Sequence, residues 1–314
     1  MTKIALIGAG PMAQAYGHVL KATEVDCIVI GRGQASADKF TEAVGLPVLI
    51  GGLDANTAAL TDITHAIVAL PVHVLASQSI VLMEAGVRKL LVEKPAGLDA
   101  AEIETVVSTA QATGSDVYVA YNRRFYAAVI EARKRIAADG GPTSFRFEIS
   151  EWSDRIGSSA QPNAVKSTWF LANSTHVADM AFFMGGFPTS ISAQAGGTTG
   201  WHDPAIFVGH GKSDAGALFS YHADWNAAPR WMVEICSKGK TYMFQPLESL
   251  KIRTSEGFKI EEIDCPGAKD DKAFKPGILK QVEAFLSEKP SADLLTIQIQ
   301  LAHIRDVYSI MAKI

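Results

Sequence analysis

The sequence predicts an α/β fold in two parts. A doubly wound parallel sheet comes first, and an α+β region built on a large, mostly antiparallel sheet follows. Three observations predict it. Short apolar runs alternate with helix-period segments over the first 120 residues, the pattern of a parallel sheet covered on both faces. A glycine-rich turn stands directly after the first of those runs. From about residue 143 onward, runs rich in β-branched and aromatic residues follow one another with Gly-, Ser- and Asp-containing turns between them.

In the first part, strands are expected at Ile4–Ile7, Cys27–Ile30, Ala66–Leu70, Lys89–Val92 and Val117–Ala120. A helix ending at Ala85-Gly86 gains its left-handed cap from the glycine. The next begins at Asp99, with Glu102 three residues on in a capping-box pattern. Its Ile103, Val106, Val107 and Ala110 make one apolar stripe. In the second part, strands are expected at Phe145–Ile149, Ser190–Ala195, Ala217–Tyr221, Met232–Cys236, Thr241–Phe244 and Leu250–Arg253. One helix should follow Thr175. Leu294, Ile297, Leu301, Ile304, Tyr308 and Met311 step by three and four, which predicts a closing helix with one buried face.

Composition narrows the function classes. The chain has 314 residues, 48% hydrophobic and 20% charged, enough for two domains of ordinary globular balance. A net charge of −4 argues against a nucleic-acid partner. The basic cluster Arg133, Lys134 and Arg135, flanked by Glu131 and Asp139, reads as a solvated helix face. Cys27, Cys236 and Cys265 are scattered, with no CxxC pair, so neither a zinc site nor a disulfide framework is expected. His202, His210 and His222 lack metal-ligand spacing, and no metal is assigned. Met1-Thr2-Lys3 leads straight into a strand and resembles no signal peptide. No run approaches the roughly 18 apolar residues of a membrane span, so a cytoplasmic protein with no membrane partner is expected.

The turn after the first strand reads "IGAGPMAQA". Gly8, Gly10 and Ala13 stand in the spacing G-x-G-x-x-A, between a strand and a helix, as a dinucleotide site requires. Gly8 allows the tight turn, Gly10 lets the backbone approach a pyrophosphate, and Ala13 permits close helix packing. Free amides at the helix start then face the phosphates. The second strand continues "CIVIGRGQAS". Gly31 stands where an NAD site would carry an acid, and Arg32 follows, able to pair with a 2′-phosphate, with Ser36 as a further donor. This favours NADP over NAD.

"LLVEKPAG" is the third signal. A buried strand ends in Glu93 and Lys94, and Pro95 then restricts the backbone behind the lysine. Taken with "GAGPMA", "ALP" at 69–71, "YNRRF" at 121–125 and the histidine of "NSTHVADM", it makes the chain resemble the glucose–fructose oxidoreductase / inositol dehydrogenase / MocA family. The likeness spans essentially the whole chain.

The resemblance implies a Rossmann domain over residues 1–122 and a substrate-binding and oligomerisation domain over 123–314, whose last helices may return to the first domain. It implies a sugar, polyol or sugar-derivative substrate. It also implies cofactor contacts from Gly8, Ala9, Gly10, Pro11, Met12, Arg32, Ser36, Leu70, Pro71, His73, Glu93, Lys94 and Asn122. Lys94 would stabilise the substrate oxygen beside the nicotinamide, with a cis bond to Pro95. His176 would move the proton, placed in the first turn of a helix capped by Ser174 or Thr175, where the dipole favours the neutral ring. Asp179, three residues on and on the same face, would either orient the imidazole or complement the dipole. Tyr121, Arg123 and Asn173 are candidate substrate contacts, as are Trp152, Arg155 and Trp169 in "EWSDRIGSSAQPNAVKSTWF". One position departs from the family pattern: Ala172 stands where relatives have an aspartate.

A homodimer or homotetramer is expected, because an apolar sheet face needs a cover. Two other readings remain: a non-enzymatic dinucleotide-binding redox sensor, and a lyase or hydrolase using a transient hydride shift.

Overall fold

Every residue of Ile4–Ile7 is at most 2% exposed, and in the computed structural model this run is β1, flanked on both sides by parallel strands. The structure describes residues 3–289 and 291–313; Met1 and Thr2, read as the start of the chain's lead into β1, lie outside them. The chain divides into two units, Met1–Ala120 with Ala273–Leu301, and Tyr121–Lys272 with Ala302–Ile314.

In the first unit β1 leads into α1 (Pro11–Ala22), β2 (Cys27–Ile30), α2 (Gln34–Val44), β3 (Val48–Leu49) and β4 (His65–Val68). Then come α3 (Val72–Glu84), β5 (Lys89–Glu93), α4 (Ala100–Thr113) and β6 (Asp116–Ala120). The sheet order is β6-β5-β4-β1-β2-β3, all parallel, with Leu295–Thr296 added antiparallel beyond β6. The chain changes direction across the sheet between β1 and β4. That is the switch point at which open α/β sheets bind ligands beyond the carboxyl ends of their strands. α4 forms as its sequence dictates: the Asp99 side chain accepts from Glu102 N at 2.9 Å, and Glu102 Oε2 accepts from Leu98 N at 2.7 Å.

In the second unit α5 (Ala127–Ala138) and β7 (Ser144–Ser150) are followed by α6 (Ser153–Gly157), α7 (Asn163–Ser167) and α8 (Thr175–Gly185). Seven further strands complete a sheet: β8 (Pro188–Gly196), β9 (Ile206–Ser213), β10 (Leu218–Asp224), β11 (Arg230–Ser237), β12 (Lys240–Phe244), β13 (Lys251–Thr254) and β14 (Ile260–Glu262). The eight strands run β14-β13-β12-β11-β7-β10-β9-β8, antiparallel except for the pair β7 and β10. α8 packs on one face. Phe182 meets the edges of Phe145, Phe147 and Phe219, which alternate with outward-facing residues along their strands.

Several expectations need correction. β9 was not anticipated, nor were the two- and three-residue strands β3, β14 and Leu295–Thr296. Ala69 and Leu70, expected in a strand, lie past the end of β4, although Ala69 N still donates to Ile7 O. The closing helix starts at Ile297, so Leu294 precedes it. The stretch after Glu151, for which no helix is expected from the sequence, contains α6 and α7. Arg133 is not merely solvated: its guanidinium lies 3.9 Å from the centre of the Phe183 ring. The outer face of the large sheet mixes ion pairs, Arg146 with Glu234 and Arg230 with Glu148, with the exposed apolar side chains of Val208, Leu218 and Ile260. Among the described residues no helix is long and apolar enough to cross a membrane, and no cluster of metal ligands forms.

Candidate functional site

The glycine turn after β1 is built for a close approach. Gly8 adopts φ +123°, and a Cβ there would stand 2.3 Å from Ala69 O, so only glycine fits. Around Gly10 the situation reverses: a Cβ would meet nothing within 4 Å. Gly10 is the N-cap of α1 with no side-chain cap, Pro11 holds the first helical position, and Ala13 is fully buried. The uncapped amides beyond Pro11 open onto the space above Gly10, where a phosphate fits a helix N-terminus. Leu70 lies beside Gly8, Pro71 caps α3, and His73 is exposed in the first turn of that helix. Ala9 is buried, Met12 half-buried.

At the end of β2 a side chain on Gly31 would press on Val48 Cγ1 at 2.9 Å and Ala9 Cβ at 3.0 Å. Arg32 is exposed beside the turn of Gly51 and Gly52, whose amides donate to Arg32 O and Gly31 O. The Ser36 hydroxyl donates to Gly33 O at 2.8 Å, so it must rotate to serve a ligand.

β5 ends at Glu93 and hands Lys94 to a tight turn closed by Ala96 N donating to Glu93 O at 3.0 Å. The Lys94–Pro95 bond is cis, as the resemblance implies. Ala96, fully buried, is held at φ +79°, a conformation that costs a non-glycine residue about 1 kcal/mol, and Gln300 Nε2 donates to Pro95 O at 3.2 Å. The Tyr16 hydroxyl donates to Glu93 Oε1 at 2.8 Å. Gln281 Oε1 stands 3.2 Å from the same hydroxyl, while its buried Nε2 has no partner. Reversing that amide lets Nε2 donate to the tyrosine oxygen. Burial pushes the Glu93 carboxyl up, against the Tyr16 bond and the charges of Lys94 and Lys275. The lysine therefore projects from a turn whose anchoring residues are themselves fixed.

In the second unit the helix carrying His176 does not begin where the sequence suggested. A π-helical turn, Phe170–Ser174, runs directly into α8, and Ser174 has helical dihedrals with no capping bond. Thr175 Oγ1 donates back to Leu171 O at 2.8 Å and accepts from the Tyr121 hydroxyl at 3.1 Å. His176 thus lies inside a continuous helix, and the dipole argument for a neutral ring at a free N-terminus does not apply. Nor is Asp179 free to orient the imidazole, since Arg124 Nε and Nη2 engage its two oxygens at 2.8 and 2.6 Å. That ion pair ties the segment after β6 to α8. The Tyr121 ring meets His176 edge-on at 5.8 Å.

The remaining candidates separate. Asn173 is half-buried, with Nδ2 at 3.1 Å from both oxygens of Glu151, and Ser174 Oγ donates to Glu151 Oε1 at 2.7 Å. Ala172 is buried, as are Asn122 and Arg123 in the turn after β6; the Arg123 guanidinium stacks on Trp231 at 4.7 Å. Trp152 is 59% exposed and Arg155 is exposed on α6. Trp169 meets Trp201 edge-on, and Trp201 stacks on Trp225, so Trp169 belongs to an aromatic cluster.

Two contributors were missed in the sequence, Tyr16 and Glu151. For Glu151 a signal existed: the alternation Phe145, Phe147, Ile149 continues to 151 and places a carboxylate on the buried face.

The first unit, with its glycine turn and switch point, has the architecture of a Rossmann fold. Residues 2–121 match the Gfo/Idh/MocA family model, described as "Oxidoreductase family, NAD-binding Rossmann fold". No curated protein matches the chain.

Among solved structures, the chain is similar to a putative myo-inositol dehydrogenase from Sinorhizobium meliloti, with 20% identity, TM-score 0.74 and coverage of 100% of this chain and 98% of that one. A putative NADPH-dependent oxidoreductase from Desulfitobacterium hafniense gives 13% identity, TM-score 0.80 and coverage of 99% and 95%. An oxidoreductase from Agrobacterium radiobacter, in complex with NAD+, L-tartaric acid and magnesium, gives 16%, 0.78, and 99% and 96%. At these identities the likeness concerns the fold.

Proposed function

We propose that the protein is an NADP-preferring oxidoreductase acting on a hydroxyl or carbonyl carbon of a sugar, polyol or sugar derivative. The observation that carries this reading is Lys94 at the carboxyl end of β5, in the same sheet as the glycine turn after β1 and two strands from it, about 10 Å along the sheet at ordinary strand spacing. Bound there, a nicotinamide dinucleotide supplies or takes up a hydride.

The residues present fit such a group. Gly8, Ala9, Gly10 and Met12 would hold the pyrophosphate, Leu70 and Pro71 would flank the ribose, and Arg32 would pair with the 2′-phosphate, with no carboxylate at Gly31 to repel it. The ammonium of Lys94 stabilises negative charge developing on the substrate oxygen. His176 moves the proton to or from that oxygen. Asn173 and Tyr121 contact the substrate, and the open ring of Trp152 stacks on a sugar face.

Two measurements test the reading. Fluorescence titration is expected to give tighter binding of NADPH than NADH; the reverse order removes the NADP preference. A screen of hexoses, inositols and sugar acids with oxidised cofactor is expected to produce substrate-dependent reduction. A protein that binds cofactor and reduces none of it with any substrate would instead fit the redox-sensor reading.

A further inference from the structure

We propose that Glu151 is a positioning residue that fixes the polarity of the Asn173 amide, so that Asn173 meets the substrate as an acceptor for a hydroxyl. This rests on the reading of Asn173 as a substrate contact.

Glu151 stands one residue beyond β7 and is 1% exposed. A carboxylate in such a place needs donors, and the structure supplies them from two consecutive residues. The Asn173 Nδ2 lies 3.1 Å from each oxygen, and the Ser174 hydroxyl donates at 2.7 Å. Both Glu151 oxygens already accept here, from the Asn173 amide and the Ser174 hydroxyl, so a reversed amide would set its carbonyl oxygen against two acceptors. The identity of N and O in Asn173 is thereby fixed by chemistry as well as by placement. Its Oδ1 turns away from Glu151.

What Asn173 can offer a ligand is then a carbonyl acceptor. That suits a hydroxyl and repels a carboxylate or phosphate oxygen. Asn173 and Ser174 are the last two residues of the π-helical turn, and His176 follows two positions later. Extra residues of this kind occur often at functional sites. The same two bonds that set the amide therefore also hold the backbone that leads into His176. The substrate class this selects carries a free hydroxyl, not a charged group, at the position Asn173 reads.

The test uses the cofactor-loaded full chain and the variants Glu151→Gln, Asn173→Ala and the two combined. For a sugar or polyol turned over in the screen, kcat/KM is compared with that of its monodeoxy analogues. Wild type is expected to disfavour one analogue by about tenfold or more, the loss of one hydrogen bond. Asn173→Ala should abolish that preference, and Glu151→Gln should lose most of it, because a glutamine lets the neighbouring amide turn over. The double variant should match Asn173→Ala. If Glu151→Gln slows substrate and analogue alike and leaves their ratio at the wild-type value, Glu151 is merely structural and the proposal fails.

A second measurement stands apart from turnover. In 15N-labelled protein the Asn173 side-chain amide signal, assigned by its loss in Asn173→Ala, should shift in Glu151→Gln. An unmoved signal overturns the contact. Should no sugar or polyol be turned over, the functional reading falls, while the amide signal still decides whether Glu151 holds Asn173.

Discussion

At Gly31 a side chain would press on two neighbours, Val48 Cγ1 at 2.9 Å and Ala9 Cβ at 3.0 Å. The missing acid of an NAD site is thus a matter of packing as well as sequence. Gly31→Asp alone is expected to lower stability and gain little affinity for NADH. Adding Val48→Ala removes the closer of the two contacts, and the double variant should bind NADH at least about tenfold more tightly than Gly31→Asp, read by fluorescence titration. Equal NADH affinity in the two variants would show that Val48 does not control this position. At this scale the sequence was legible where the constraint is local, as at Asp99, whose side chain accepts from Glu102 N three residues on. It misled where the partner comes from elsewhere. Asp179 lies three residues from His176, yet a buried guanidinium 55 residues away takes both its oxygens.

At the scale of elements, β9 shows why a strand can be invisible. Its Gly209 and Gly211 look like turn residues, but each faces a large ring across the sheet, Tyr221 and Phe219. A Cβ on Gly211 would stand 2.0 Å from Ser190 O and 2.7 Å from the Phe219 ring. The glycines make room for aromatic residues that pack under α8. Gly211→Ala is expected to cost about 1–3 kcal/mol, as overpacking does, visible as a lower melting temperature; an unchanged one would mean that the strands can part without penalty. The π-helical turn before His176 was equally hidden, because one inserted residue leaves no mark in a short apolar pattern. By contrast α4 was legible down to its cap, since both the Asp99 bond and the apolar stripe are local.

At the scale of the whole molecule, the two sheets were legible as classes because each imposes its own period over many residues. Two-residue strands carry no period, and so the return of Leu295–Thr296 to the parallel sheet could not be read. One global property follows from His303, which stacks face to face on Phe187 at 3.4 Å. Burial, with the charge of Arg124 beside it, lowers its pKa to about 3, from 6.5 for an unperturbed histidine. Below about pH 6.5 the unfolded chain takes up a proton that the folded chain refuses. Stability therefore falls as the pH drops from about 6.5 toward about 3. Melting temperatures measured at about pH 7 and about pH 5 should differ less in His303→Gln than in wild type, by a few degrees. An identical difference in both proteins would mean that His303 titrates normally in the fold.

The central claim is that Lys94 acts on the substrate oxygen and not on the architecture of the dinucleotide site. The most direct measurement is steady-state turnover of Lys94→Met with a substrate from the screen, alongside NADPH titration of the same variant. The account predicts that turnover is lost by about a hundredfold to a thousandfold, the scale set by removing one preorganised charge-stabilising group, while NADPH affinity stays near that of wild type. Near-normal turnover by Lys94→Met would contradict it.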